Sequence, residues 1–563
     1  MNTPPHNRSS ALTTMPTRHI SVFTKFAALI AATGLFAINL AASDHAIDPS
    51  YLTDTAFQRE IHVSPQGEDS NTGSLQNPLR TIQAARDAAA AHLSSNPSSD
   101  GAVVIYLRGG VYEQDSPIVF EPEHSGRPGS PVIYTNYADE RAVISGGKEI
   151  TGTWNPVDGK PYYSIGIPEA ASGNWTFNNL YVDGESRTRA RTPNHDEKVL
   201  RANGRVPRWS EELSLRFWEG DIDPDWSQLE NIDIVIPMTW TPVHHRIETI
   251  DFDRRGVMLA SAGGQHQLYG DEHFRYYLSN VFEGLDVPGE WYLNPETGVL
   301  YYYPYPDEDL EEISVVAPVI KSQLMTFDGD AAANETISYL EFNGLEIRHT
   351  DTDREKWNGV YRQAHAFLDA AVYAEGLTHT VFKDCTFTNL GEYAIELEAG
   401  SQDNTIFQCL FRDLGGGGIQ VGISSLQDIQ RARNSVGFVF EDKDTHPRTD
   451  VLRTRIENSI LSKIGTYWTG SYAINVRFAS YTEVAHNEIF DTHYTGVAID
   501  ARWSDYSGEN YAHSNEFAYN HLHHIGRGLH SDGGAFYQFG PTDNHYHHNR
   551  ISDLTAYPHR NEM

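Results

Sequence analysis

The chain has 563 residues, with 42 Lys or Arg against 76 Asp or Glu and a formal net charge of −34. An excess of anions this large repels a phosphate backbone, which argues against nucleic acid as a partner and disfavours a polyanionic substrate. Charged residues make up 21% and aromatic residues 11%, with 45 Gly and 27 Pro, which excludes a disordered chain and points to a folded, turn-rich, β-leaning one.

In chain order, Arg18, His19 and Lys25 precede an apolar run from Phe26 to Ala42 that ends in Ala41-Ala42-Ser43. The run is short for a membrane span and contains Thr33, Gly34 and Asn39, so residues 1–43 read as a secretory signal peptide cleaved near Ser43. Such a leader implies a secreted or periplasmic protein with no membrane span once it is removed. Val63–Gly73 is a turn-rich opening, and Thr81 caps a short Ala-rich helix beginning near Ile82. Strands follow at Val103–Leu107 and Val132–Tyr134. Residues 59–150 are therefore expected to hold the first coils of a solenoid and a helix that caps its open end.

From 151 to 320 the coil pattern is lost. Trp291-Tyr292-Leu293 and Val299–Tyr303 flank Asn294-Pro295-Glu296-Thr297-Gly298, a hairpin signal. This block reads as an inserted antiparallel β-domain.

A repeat dominates residues 321–563. Its key column is Asn343, Cys385, Cys409, Asn458, Asn487, Asn520 and Asn549, at spacings of 42, 24, 49, 29, 33 and 29 residues. Two residues after each member comes an apolar one: Leu345, Phe387, Phe411, Ile460, Ile489, Leu522 and Ile551. The shortest spacing suits one coil of a parallel β-helix, and the longer ones admit loops. A stacked Asn can bond the backbone groups left unpaired at an inside corner, and a small Cys can fill the same slot. Neighbouring coils point the two cysteine side chains in parallel, which disfavours a disulfide; Cys385 and Cys409 are expected as buried free thiols. The fold class expected is all-β: a right-handed parallel β-helix with an inserted antiparallel, sandwich-like β-domain and a short N-terminal capping helix. No helix or other cap is evident after Asn549, so either the final residues fold over the open end or the main helix is cut short at its C-terminus.

Polar residues crowd the last coils. Asp491 and Asp532 stand 41 residues apart and one coil apart in the stack. Carboxylates on neighbouring coils can reach the separations of glycoside hydrolysis, about 5–5.5 Å for retention and 6.5–9.5 Å for inversion. From the residues alone a turn Asp bonding its own backbone is the favoured reading of Asp491, because Asn389, Asp413 and Asp553 also lie four past their ladder residues. Asp532, in Ser-Asp-Gly-Gly, matches no other coil. Asp500, Trp503, His493, Tyr494, His530, Tyr537 and Arg502 are candidate substrate contacts, with solvated, core or loop-anchoring roles as the plain alternatives. The histidines from His521 to His548 lack the spacing that organises a metal site. No metal and no cofactor are expected, and the chain reads as a monomer.

Several stretches resemble a known family. They are Val63–Gly73 with Pro78 and Thr81, Leu180–Gly184 running to Arg189–Asn194, Pro288–Leu293, Tyr373–Gly376, Asn487–Gly496 and Ser531–Gly534. Together they resemble bacterial right-handed β-helix proteins of glycoside hydrolase family 141, which includes α-L-fucosidases and xylanases. The resemblance implies a β-helix with an inserted β-sandwich and a pair of catalytic aspartates, which fall on Asp491 and Asp532. The chain departs from the family at Ala498–Trp503, where relatives carry a Gly/Trp-rich turn, and in stopping where relatives continue. The expected function is a secreted enzyme hydrolysing a plant or algal polysaccharide. The alternatives are a polysaccharide lyase acting on a uronic-acid polymer, and a non-catalytic carbohydrate-binding or adhesion β-helix.

Overall fold

A computed structural model describes residues 57–195, 199–204, 214–260, 273–360, 363–422, 450–500, 512–539 and 543–556. The expected signal peptide lies outside the described residues.

Three long parallel sheets form a β-helix. The first has ten strands, from Phe57–Val63 to His545–His547; the second has nine, from Gly110–Glu113 to Arg550–Leu554; the third has eight, from Ile118–Phe120 to Phe536–Phe539. Each coil visits them in that order. Alternation along every strand sends one set of side chains inward, where they stack coil on coil. Phe387 and Phe411 lie 4.8 Å apart at 3°, and Phe342 and Phe382 5.1 Å apart at 13°, matching the spacing of neighbouring strands. The helix Ile82–Ser95 is capped by Thr81, whose side chain accepts from the Ala84 backbone, and it adds Ile82, Ala85, Ala89 and Leu93 to this core. At the other end, Tyr546, Ile551 and Leu554 stack in register on Phe517, Leu522 and Ile525 yet remain exposed.

The corner between the first and second sheets carries a side-chain ladder, but its register differs from the sequence expectation at two places. Glu457 pairs with Phe407 and Ala485, so Ser459, not Asn458, stands between Cys409 and Asn487. Ser459 Oγ accepts from Cys409 N (3.1 Å), and Asn487 Oδ1 accepts from Ser459 N (2.9 Å). Asn520 and Asn549 continue the pattern. Asn343 pairs with Lys383 in the first sheet, and Leu345 stands at the level of Cys385. The cause of the offset is conformational. The residue before each ladder position is left-handed: Asp384, Gln408, Asn458, His486, Tyr519 and His548 have φ between 51° and 60°. Asn tolerates that region as readily as it fills a ladder slot, so Asn458 imitates a ladder residue one place early. The same offset moves the buried residue of this coil from Ile460 to Leu461. Cys385 and Cys409 are buried and free, and their thiols donate to the carbonyls of Phe342 and Phe382.

Between the strands Ala142–Ser145 and Met325–Asp328 the chain leaves the coil. It builds an eight-stranded and a seven-stranded sheet, largely antiparallel, each with its own apolar cluster. The first of these strands, Gly147–Glu149, pairs with Val315–Pro318. The expected hairpin is present, with Trp291 opposite Tyr302 and Asn294 opposite Val299. Asn294 Oδ1 accepts from Glu296 N and Thr297 N, and Gly298 turns the chain at φ 64°.

Candidate active site

The site sits at the corner between the second and third sheets, in the last two coils that reach the third sheet. Asp491 lies in the strand Glu488–Thr492 at φ 53°. Asn389, Asp413, Lys463, His524 and Asp553 hold the same corner position in other coils, with φ between 51° and 56°. The left-handed corner is therefore a feature of the coil, and the occupant varies. The Asp491 carboxylate pairs with Arg527, which belongs to the following coil. Asp532 lies on that same coil, in the loop leading into the strand Phe536–Phe539, and is exposed. Tyr537 Oη donates to Asp532 Oδ1 at 3.0 Å, and Tyr494 Oη donates to the Asp532 carbonyl at 2.6 Å. Among the ties that cross between the coils here are Arg527 to Asp491 and Tyr494 to Asp532.

The inserted sheets fix this loop from outside. Ser531 N donates to Thr239 O at 2.9 Å, and the Arg275 guanidinium to Leu529 O at 3.0 Å. His530 is 2% exposed; its two ring nitrogens lie 3.2 Å from Met238 O and 2.8 Å from Thr469 Oγ1. Burial pushes its pKa down to about 3, so the ring is neutral. Tyr494 is buried, stacked on Tyr472 with its edge to His530. His493 Nδ1 lies 3.2 Å from Ile464 O, and burial lowers its pKa. These three side chains brace the corner. Tyr537 holds Asp532 directly. Asp500 ends the strand Thr495–Asp500, in register with Arg477 and Phe539. Arg502 and Trp503 lie outside the described residues. Away from the corner, Glu488, His521 and His523 offer ligand atoms within 4.8 Å of one another, and both histidines pair with Glu488.

The sequence reading missed a polar column on the outward face of the third sheet. Tyr373, Glu396, Gln420, Asn475, Ala498 and Tyr537 are successive register partners on neighbouring strands. Glu396, Gln420, Asn475 and the nearby Arg477 are all buried. Arg477 pairs with Glu396 at 3.0 Å and also bonds the Ala366 carbonyl. Burial, helped by Glu398 and opposed by Arg477, shifts the Glu396 pKa upward. Glu392, at the start of this strand, gathers a loop: it accepts from Trp357 Nε1 (2.8 Å), Thr352 Oγ1 and Asp353 N (both 3.0 Å) and Asp369 N (2.9 Å). The available signal was a polar residue at every second place in otherwise apolar strands, as in Glu396-Leu397-Glu398 and Asn475-Val476-Arg477.

No protein-family model matches the chain. Two curated proteins match short stretches. The uncharacterized protein YwoF of Bacillus subtilis is 34% identical over 86 residues, which is 15% of this chain and 15% of that protein. Pectate lyase PEL9 of Emericella nidulans is 36% identical over 94 residues, 17% of this chain and 20% of that protein. The chain thus spans a fifth or less of the length of these curated relatives. A solved structure described as a glycoside hydrolase superposes with a TM-score of 0.75 at 24% identity, over 87% of this chain and 88% of that one. That likeness shows a shared fold over most of both chains.

Proposed function

We propose that the protein hydrolyses glycosidic bonds of a plant or algal polysaccharide, with Asp491 and Asp532 as the carboxylate pair. The observation that carries this reading is the corner itself. It sets an exposed aspartate and a second aspartate on successive coils, ties the coils by Arg527 and Tyr494, and aims Asp532 with Tyr537. In glycoside hydrolysis one carboxyl gives its proton to the departing glycosidic oxygen. The other either draws a proton from water or attacks the anomeric carbon. The family resemblance supports the reading, as does the fold shared with a structure described as a glycoside hydrolase. Export through the leader in residues 1–43 would bring the enzyme to an extracellular polymer; N-terminal sequencing of the mature protein should start near Ser43.

The test is turnover on polysaccharides by release of reducing ends. Asp491→Asn and Asp532→Asn should each lower kcat by about a hundredfold or more, the scale of a lost acid or base. Wild-type rates in both variants would sink the assignment. The local match to a pectate lyase favours one second reading, β-elimination on a uronate polymer. Its signature is ultraviolet absorbance from an unsaturated product, which hydrolysis does not give.

A further inference from the structure

Asn475 is 0% exposed, and neither its Oδ1 nor its Nδ2 has a protein partner. Its register neighbour Gln420 is also 0% exposed; Nε2 donates to Leu368 O at 3.2 Å, but Oε1 has no partner. Two adjacent strands therefore present an unmet donor group and two unmet acceptors side by side on one buried face. Buried amides left in this state cost stability, and an apolar residue of the same shape would remove the cost. Polar groups kept against that cost are characteristic of sites that bind.

We infer that Gln420 and Asn475 form a subsite for a neutral, hydroxyl-rich sugar unit of the glycan whose cleavage is proposed above, on which reading this inference rests. Three features choose the ligand. A sugar hydroxyl both donates and accepts, so adjacent hydroxyls of one ring satisfy an amide oxygen and an amide NH2 together. The face disfavours an anion: Glu396 already engages Arg477, and Asp328, Glu375 and Glu398 stand on neighbouring outward positions of the same sheet. The column also leads to the reacting corner. Asn475 pairs with Ala498 and Ala498 with Tyr537, whose hydroxyl holds Asp532. At about 4.8 Å per strand this places Asn475 roughly 10 Å from Tyr537, the length of two sugar units.

The segment Ala364–Leu368 covers the subsite, bonded to it through Leu368 O and Ala366 O. It is held from the other side by the inserted sheet: Ala364 N donates to Thr241 Oγ1 at 2.7 Å, and His365 Nε2 lies 2.9 Å from Pro242 O. Ala364 and His365 are consecutive left-handed residues, both at φ 50°, a conformation non-glycine residues hold only under constraint. A glycan enters by lifting this segment and replacing its contacts with hydroxyls.

The experiment uses the full mature chain on an array carrying neutral and uronate oligosaccharides side by side, with Asn475→Leu, Gln420→Leu and Asp532→Asn variants. The wild type should bind a neutral glycan. Asn475→Leu and Gln420→Leu should each weaken that binding about tenfold or more while melting no lower than the wild type, and Asp532→Asn should bind as the wild type does. The inference is overturned if no neutral glycan binds, if only uronates bind, or if the two leucine variants bind unchanged, in which case ordered water alone meets these amides. It is also overturned if both variants lose several degrees of melting temperature, since the amides would then be structural. Turnover that survives in Asn475→Leu with an unchanged KM would refute the subsite and leave the hydrolase reading standing. Glycan binding lost in Asn475→Leu, with no turnover by the wild type, would do the reverse.

Discussion

Asn520 bonds both of its coil neighbours. Its Oδ1 accepts from Asn487 N at 3.0 Å, its Nδ2 donates to Val484 O at 2.8 Å, and its own N–H donates to Asn549 Oδ1 at 2.9 Å. Asn520→Ala would orphan a buried donor and a buried carbonyl together, at a cost of roughly 2–4 kcal/mol. Asn343→Ala, at the position the sequence placed on the ladder and the structure does not, should cost less than about 1 kcal/mol. Urea denaturation of both variants compares them; equal losses would contradict the observed register. The two cysteines make a second residue-scale prediction. Both are free and at most 2% exposed, so a thiol reagent should label neither in the native protein and both after unfolding. Residues of the ladder were legible because their chemistry repeats. Ser459 was not, because its neighbour Asn458 suits two different jobs one residue apart.

At the level of elements, the junction between the inserted sheets and the coils is rich in buried ionisable groups held neutral. Burial lowers His245 and His365 to about 4 and His530 to about 3, while it raises Asp351 to about 7 and Glu392 to about 8; in the first parallel sheet, away from that junction, it also raises Glu341 to about 7. The two sets act on opposite sides of neutrality. As pH falls below the ordinary histidine value of 6.5, the unfolded chain takes up protons that the native rings refuse, so stability declines toward pH 3–4. As pH rises above the ordinary glutamate value of 4.5, the native carboxyls keep protons that the unfolded chain releases, so stability declines toward pH 7–8. The melting temperature should therefore peak between about 4.5 and 6.5 and fall on both sides. His530→Gln should flatten the acid limb and Glu341→Gln the alkaline limb, each by about one proton. Unchanged slopes in both would show that these groups are not buried as described. No such junction could be read from the sequence, because it joins residues as distant as Met238 and His530. The hairpin Trp291–Tyr302 was readable because its turn chemistry is local.

For the whole molecule, the stacking of coils was visible in the sequence because inward apolar residues recur at a fixed place after each corner. The corner that carries Asp491 and Asp532 on successive coils was partly visible. Two carboxylates one coil apart could be named, whereas Arg527 and Tyr494, which tie those coils, are fixed only by three-dimensional proximity. The exposed Arg527–Asp491 pair contributes little to stability. Arg527→Ala should change the unfolding free energy by less than about 1 kcal/mol. If the pair serves Asp491 as proposed, the same variant should lower kcat several-fold, and an unaltered kcat would separate Arg527 from the chemistry.

The left-handed corner of the second sheet is turned by Asn389, Asp413, Lys463, Asp491, His524 and Asp553 alike. Neighbouring coils, not the side chain, enforce the bend there. Each corner is consequently a position where an acid, a base or an amide can be exchanged without redrawing the backbone. A solenoid built this way can acquire, relocate or lose a reactive group by single substitutions, coil by coil, so its evolvability is written into the same geometry that folds it.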